Sequence, residues 1–362
     1  MNISIKKIFK PFFTNTIILL LFIIMLEIFF GYWFKENNFG IYMRSERNKK
    51  ELVTATHIDK EYNFFYKRNF YAFRGDNFEP SEAKIIFTGG SSANQRFTPE
   101  EKTIVGILNR KFKEEKFKFT IYNAATDGKT TRGYINDFIY WFPKLPNFKP
   151  KFFIFYSGIT DRKLGSKNFD VESNKYDFKF ATERINRIRD YIKNNSIILE
   201  AVKKIENKYF PKLVGVYAVA KEDLYNNFLY TNFLAAKNKH LDADLNANEK
   251  KLLQIFKSRL NKLKKIINEN KIIPIFITQI KYDGLSEKNL FLVNQELKKF
   301  CKNNNFYLIP LDELTESMSV NDFYDEIHTS ISGSEKIAET IYPSLKKIFE
   351  KNGYWFICLK IF

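Results

Sequence analysis

Cysteine is nearly missing from this chain: Cys301 and Cys358 are the only two, too few and too scattered for a disulfide framework or a zinc site, although one bridge between them stays open. Histidine is almost as rare, with His57, His240 and His328, so an imidazole base has few candidates. A glycine-rich phosphate loop is also lacking. Gly128-Lys129-Thr130 has no earlier glycine or surrounding loop, and no nucleotide site is indicated. Acidic residues fall short of basic ones, 41 against 59, for a formal net charge of +18. The excess is spread over helical patterns as solvated faces, alongside abundant Asn, Ile and Phe. It reads as a compositional bias, and no nucleic-acid partner is expected.

Charge is also absent from Pro11 to Leu26, and the apolar run continues through Glu27 to Phe34. At about 1.5 Å per residue this is long enough to cross a hydrocarbon core of about 30 Å. The run ends in Phe29-Phe30-Gly31-Tyr32-Trp33-Phe34, bulky aromatics suited to a membrane interface; a cleaved signal would end in small residues. A retained single span is expected. Charge does not set its orientation, because Lys6, Lys7 and Lys10 before it are matched by Lys35, Arg44, Arg47, Lys49 and Lys50 after it. Glu27 is read as an interfacial or protonated carboxyl.

The segment after the span is polar and aromatic, without a long clean period, and contains Tyr62-Asn63-Phe64-Phe65-Tyr66-Lys67-Arg68. It is expected to pack against the main domain. From Ala83 the pattern becomes regular. Apolar runs at 84–88, 119–124, 151–157, 272–278 and 306–311 alternate with helical patterns at about 98–115, 131–143, 249–269, 285–303 and 333–350. Such alternation predicts an α/β domain with a central parallel sheet covered by helices on both faces, a three-layer α/β/α sandwich. Lys151-Phe152-Phe153-Ile154-Phe155-Tyr156 is apolar on both faces, as a central strand should be. Residues 165–248 interrupt the alternation with charged helical sequence at Phe180 to Asn194 and Ile197 to Tyr209, and with Lys237-Asn238-Lys239-His240 in a loop.

Ligands of such sheets sit at the carboxyl ends of the strands. The first run delivers Gly89-Gly90-Ser91-Ser92 there, the second Asn123 to Gly128, the third Gly158-Ile159-Thr160-Asp161, and the loop after the last Asp325-Glu326-Ile327-His328. A serine hydroxyl is a poor nucleophile at neutral pH and needs a histidine to take its proton and an acid to hold the imidazole. Ser91, His328 and Asp325 are the candidates. The backbone N–H groups of Ser91 and Gly128 can serve a developing oxyanion, and Thr160 can add a hydroxyl. Ser92 competes as nucleophile, while Asp127 and Asp161 are read as loop-holding groups. There is no Gly-x-Ser-x-Gly elbow.

These blocks, in this order, resemble the SGNH hydrolases, the GDSL family of esterases and lipases. Gly89-Gly90-Ser91 matches the first block, with Gly90 where the family often has aspartate. Asn123 to Thr131 matches the second, whose glycine is Gly128, and Asp325-Glu326-Ile327-His328 matches the last. The third block departs, with Thr160 where the family has asparagine. The resemblance implies a flavodoxin-like fold over 83–350, Ser91 as nucleophile, His328 as base, Asp325 as its partner, and no metal or other cofactor. The expected organisation is a tail at 1–10, an anchor at 11–34, a juxtamembrane segment at 35–82, the catalytic domain at 83–350 with a helical insertion at 165–248, and a tail at 351–362. The resemblance further implies a bacterial membrane protein whose domain faces the periplasm or exterior. Its partners would be the membrane and an acylated glycan or lipid, with the oligomeric state undetermined. Acyl transfer by the same triad, and a catalytically weakened glycan- or partner-binding protein, are the alternatives.

Overall fold

The computed structural model describes residues 5–34, 43, 46–57, 60–164, 191–192, 195–217, 229–241 and 243–353. Most of the segment read as helical at 180–194 lies outside them, as does Cys358. The elements in chain order are helix α1 (Ile5–Phe30), strands β1 (Lys49–His57), β2 (Lys60–Arg68) and β3 (Ile85–Gly89), helices α2 (Ser91–Asn94) and α3 (Ile104–Glu114), β4 (Ile121–Asn123), α4 (Thr131–Tyr140) and β5 (Phe152–Tyr156). There follow α5 (Ile197–Tyr209), β6 (Lys212–Tyr217), α6 (Phe233–His240), α7 (Ala247–Glu269), β7 (Ile273–Ile277), α8 (Lys288–Asn304), β8 (Tyr307–Ile309), α9 (Leu311–Leu314) and α10 (Ile331–Lys351).

Among the described residues the main sheet has five strands in the order β4-β3-β5-β7-β8, and every pairing is parallel. Counted along the chain this is the order 2-1-3-4-5, the doubly wound flavodoxin-like arrangement. Its strands alternate faces with period two. Ile85, Phe87, Phe152, Ile154, Ile275 and Ile277 face one layer, with α3 and α10. Ile86, Phe153, Phe155 and Phe276 face the other, with α4, α7 and α8. Helix α7 shows why it lies there: Leu252, Phe256, Leu260, Leu263 and Ile267 recur at three- and four-residue spacing and are all buried. Each such fully buried side chain stabilises the fold by about 1.5–3 kcal/mol. Cys301 sits buried in this core, with no disulfide partner among the described residues.

Among the described residues a second sheet has three strands, in the order β2-β1-β6, two of them from the segment whose sequence carries no clean period. β1 and β2 are antiparallel, and β6, from the 165–248 insertion, joins β1 in parallel. The alternation along β2 is present: Tyr66 and Arg68 are buried while Phe65 and Lys67 are exposed. It is hard to read because the buried face carries Glu51 and Arg68 as well as Val53 and Tyr66. The insertion thus contributes a strand besides its helices. Residues 237–240, expected in a loop, form instead the last turn of α6. Asn232 caps that helix, and His240 is buried against the Phe291 ring with Nε2 3.1 Å from the Ser286 carbonyl.

Pro11–Phe30 is long and apolar enough to cross a membrane, with mean hydropathy 2.4.

Candidate active site

Gly89 ends β3 against the chain of β5. A Cβ there would stand 2.5 Å from the Ala93 Cβ and 2.9 Å from the Tyr156 carbonyl, closer than any side chain tolerates. The turn that follows starts the four-residue helix α2 and puts Ser91 at the carboxyl edge of the sheet. Ser91 is partly exposed and Ser92 is buried. The Ser92 hydroxyl accepts a hydrogen bond from Gln279 Nε2 at 2.9 Å, so it is held inside the protein, away from the open side of the turn.

His328 comes to Ser91 from the other end of the domain. Its Nε2 is 2.6 Å from Ser91 Oγ, and its Nδ1 is 2.6 Å from Asp325 Oδ2. The Asp325 carboxylate also accepts from the Ile327 N–H at 2.9 Å and the His328 N–H at 2.7 Å. Burial raises the Asp325 pKa, but the His328 contact and these two amides outweigh it and hold the carboxyl below its ordinary range. An ionised carboxylate only accepts, so Nδ1 carries the proton and Nε2 is left to accept from the serine hydroxyl. Tyr324 lies parallel to the imidazole, with ring centroids 5.5 Å apart. Its N–H donates to the His328 carbonyl at 3.0 Å.

The second loop brings Gly128 to the same edge, at φ +74°, a left-handed conformation that glycine adopts freely. Among the described residues neither the Ser91 nor the Gly128 backbone N–H has a hydrogen-bond acceptor. Both are donors available to an anion. Thr160 opens a short helical turn, with its hydroxyl next to Gly90. Ser91, His328 and Asp325 are thus in direct contact, and the loops that carry Gly128 and Thr160 lie beside Gly90 in the serine turn.

Several supports carried no sequence signal. Gln95, at φ +47°, donates to Thr329 Oγ1 at 2.9 Å and Ser334 Oγ at 2.6 Å and accepts from the Ile104 N–H. It ties the serine turn to the residue after His328. Gln279 accepts from the Ile159 N–H at 2.7 Å, linking the third loop to the first. Asn94 donates to Asp127 at 2.8 Å and accepts from Arg68 and Tyr66 at 3.1 Å. Arg68 also donates to the carbonyls of Ala125 and Ala72. The second sheet thus underpins the Gly128 loop. Lys129, buried with Asp137 at 2.6 Å, donates to the Ala124 carbonyl and closes that loop from inside. Asp161 accepts from the Thr131 N–H at 3.1 Å and hydroxyl at 2.8 Å; burial pushes its pKa up to about 6.

A 2-1-3-4-5 parallel sheet with the three glycine-containing blocks at its carboxyl edge and the Asp-x-x-His loop against the first of them decides the architecture. It is a flavodoxin-like arrangement, and its motif blocks resemble those of the SGNH hydrolases. Solved structures similar to this chain include a psychrotrophic esterase from Pseudoalteromonas sp., at 12% identity over 74% of this chain and 99% of that one, with a TM-score of 0.39. A member of the lipolytic G-D-S-L family from Veillonella parvula matches at 12% over 73% and 98%, with a TM-score of 0.37. A lipase/acylhydrolase from Enterococcus faecalis matches at 13% over 74% and 96%, with a TM-score of 0.40. No protein-family model and no curated protein matches the chain.

Proposed function

We propose that the protein is a membrane-anchored serine esterase that hydrolyses an O-acyl ester. The observation that carries this reading is the unbroken chain Ser91 Oγ, His328 Nε2, His328 Nδ1, Asp325 Oδ2, with both contacts at 2.6 Å. Ser91 attacks the ester carbonyl while His328 takes its proton. The carbonyl oxygen becomes negative within reach of the Ser91 and Gly128 N–H groups and the Thr160 hydroxyl. Collapse of this intermediate breaks the bond to the leaving alkoxide, which receives the proton from His328. A water then attacks the acyl-serine by the same route, releasing the acid and restoring Ser91. Asp325 holds the imidazole in the required tautomer and stabilises it when charged.

The substrate class, an acyl ester on a carbohydrate or cell-envelope polymer, follows from the family resemblance. So does a domain outside the cytoplasmic membrane, held by α1. Turnover of p-nitrophenyl acetate by the full chain, its Ser91→Ala variant and its His328→Ala variant tests the chemistry. Activity in the parent and loss in both variants is the expected result. An inactive parent with its fold intact would overturn hydrolysis of small activated esters.

A further inference from the structure

Helix α5 is amphipathic in the inverted sense. An ordinary surface helix turns its apolar stripe to the core and its polar face to water. Here the polar face docks. Glu200 is buried and within 3.5 Å of Asn48 Nδ2. Lys203 Nζ donates to the Arg47 carbonyl at 2.5 Å, and the Asn207 amide donates to the Asn48 carbonyl. Residues 200, 203 and 207 share one side of a helix, and 202, 205 and 209 lie on the other. Val202 is 44% exposed, Ile205 55% and Tyr209 62%. Phe210 and Leu213 extend the apolar surface past the helix end at 80% and 66%.

The start of α5 is fastened to the end of α1. The Glu27 carboxylate accepts from the Ser196 hydroxyl at 2.5 Å and from the Ile197 and Ile198 N–H groups at 3.2 Å, capping the helix. Trp33 Nε1 donates to the same carboxylate at 2.9 Å, and the Tyr32 N–H donates to the Asn195 carbonyl at 2.8 Å. Glu27 is thus the joint between anchor and domain. It lies in the last turn of Pro11–Phe30, the stretch able to cross a bilayer. A helix whose first turn is held at that depth starts at the level of the lipid headgroups. Around it, Trp33 packs edge-on against the exposed Tyr191 ring, an interfacial aromatic pair.

The flank of α5 is basic. Lys204 is 2.8 Å from Glu200, and Lys208 lies over the Tyr209 ring. Both line a groove of about 270 Å³ that they share with Lys49, Lys50 and Lys67. We propose that α5 is a membrane-surface helix: its apolar face rests among the headgroups and upper acyl chains of the bilayer, and the lysines beside it meet anionic lipid phosphates. Apolar area and charge act together in such binding. Continuity with the anchor, the exposed apolar face and the basic flank favour lipid as the occupant. With α1 and α5 both engaged, the domain has two attachments to the membrane and a defined tilt over it. This inference rests on α1 spanning the bilayer.

The test uses the full chain with Cys358→Ser, in nanodiscs containing phosphatidylglycerol, with spin labels at Val202→Cys or Ile205→Cys. Leu20→Cys in the span and Ile139→Cys on α4, half-exposed at 50%, are the references. Collision with oxygen is compared with collision with a water-soluble nickel chelate. Labels at 202 and 205 are expected to read between the two references, at the headgroup boundary. Replacing phosphatidylglycerol by phosphatidylcholine, or combining Lys204→Glu with Lys208→Glu, is expected to move them toward the aqueous value. Aqueous readings at 202 and 205 with Leu20 in the acyl core would overturn the proposal and leave the span intact. Shielding from both reagents, as by a second copy or a protein partner, would also overturn it. An aqueous Leu20 would remove the span and the proposal together. Insensitivity to lipid charge and to the lysine changes would overturn the anionic-lipid contact.

Discussion

Gly90 and Thr160 are in contact: a Cβ placed on residue 90 would lie 2.9 Å from Thr160 Oγ1 and 3.2 Å from the Lys129 carbonyl. These are the two positions at which the chain departs from the SGNH motif blocks, and in the fold they are one place. The glycine leaves the room in which the threonine hydroxyl stands. Gly90→Ala is therefore expected to displace that hydroxyl and lower kcat about tenfold, and to do much less in a Thr160→Ala background. The coupling should fall within the roughly 0.5–3 kcal/mol typical of contacting residues. Steady-state kinetics of the double-mutant cycle measure it, and simple additivity would remove the link.

Thr160→Val keeps the shape and deletes the donor. If the hydroxyl serves the developing oxyanion, kcat falls by about 10²-fold while KM changes little, the usual consequence of losing one preorganised donor. An unchanged kcat would assign that duty to the two backbone amides alone.

Asp325→Asn leaves a side chain of the same size but places an amide opposite Nδ1. The imidazole can then keep the tautomer whose Nε2 carries the proton, and such a base cannot take one from Ser91. Turnover is expected to fall by about 10⁴-fold in a protein with unaltered circular dichroism. A loss under tenfold would mean that His328 acts without Asp325.

Asp161 is buried, and its pKa of about 6 stands above the ordinary value of 3.8. Between those values the folded chain holds a proton that the unfolded chain has released. Stability from this group is thus fully present below about pH 3.8 and declines as pH rises to about 6, by on the order of 3 kcal/mol. Asp161→Asn, which cannot ionise, escapes this decline. Denaturant titrations from pH 4 to 8 should show wild type losing ground to the variant up to pH 6 and no further change above it. A constant difference across the range would refute the raised pKa.

Arg68 is fully buried, with its guanidinium on the Ala72 and Ala125 carbonyls and on Asn94. Arg68→Leu strands those acceptors without water. A loss of roughly 3–5 kcal/mol is expected, comparable to breaking a buried ion pair, and chemical denaturation would register it. Stability within 1 kcal/mol of wild type would mean that water replaces the guanidinium.

Much of the main α/β domain was legible along the chain. The runs that became β3, β4, β5, β7 and β8 were apolar, short and separated by helical spacing, and those signals survive in any context. Thr103, Ser330 and Asn246 cap α3, α10 and α7 as hydroxyl and amide residues should. The second sheet was not legible, because Arg68 and Glu51 point inward where an apolar residue would have marked the period. His240 in its loop was misplaced for a similar reason: Lys237 and Lys239 just before it masked a helix whose buried residues are a single alanine and the histidine itself.

What the amino-acid sequence determined by itself was everything carried by neighbours: the strand and helix periods, the turn glycines, the charge-free span, and the order of the motif blocks. Tertiary structure alone decided the meetings. Ser91 touches His328 across 237 residues of chain, β6 finds β1, Glu27 caps α5, and Gly90 yields to Thr160. Local patterns report which face of an element is apolar. They do not report which distant surface fits it, because that choice is made by shape and hydrogen-bond complementarity once the chain has collapsed.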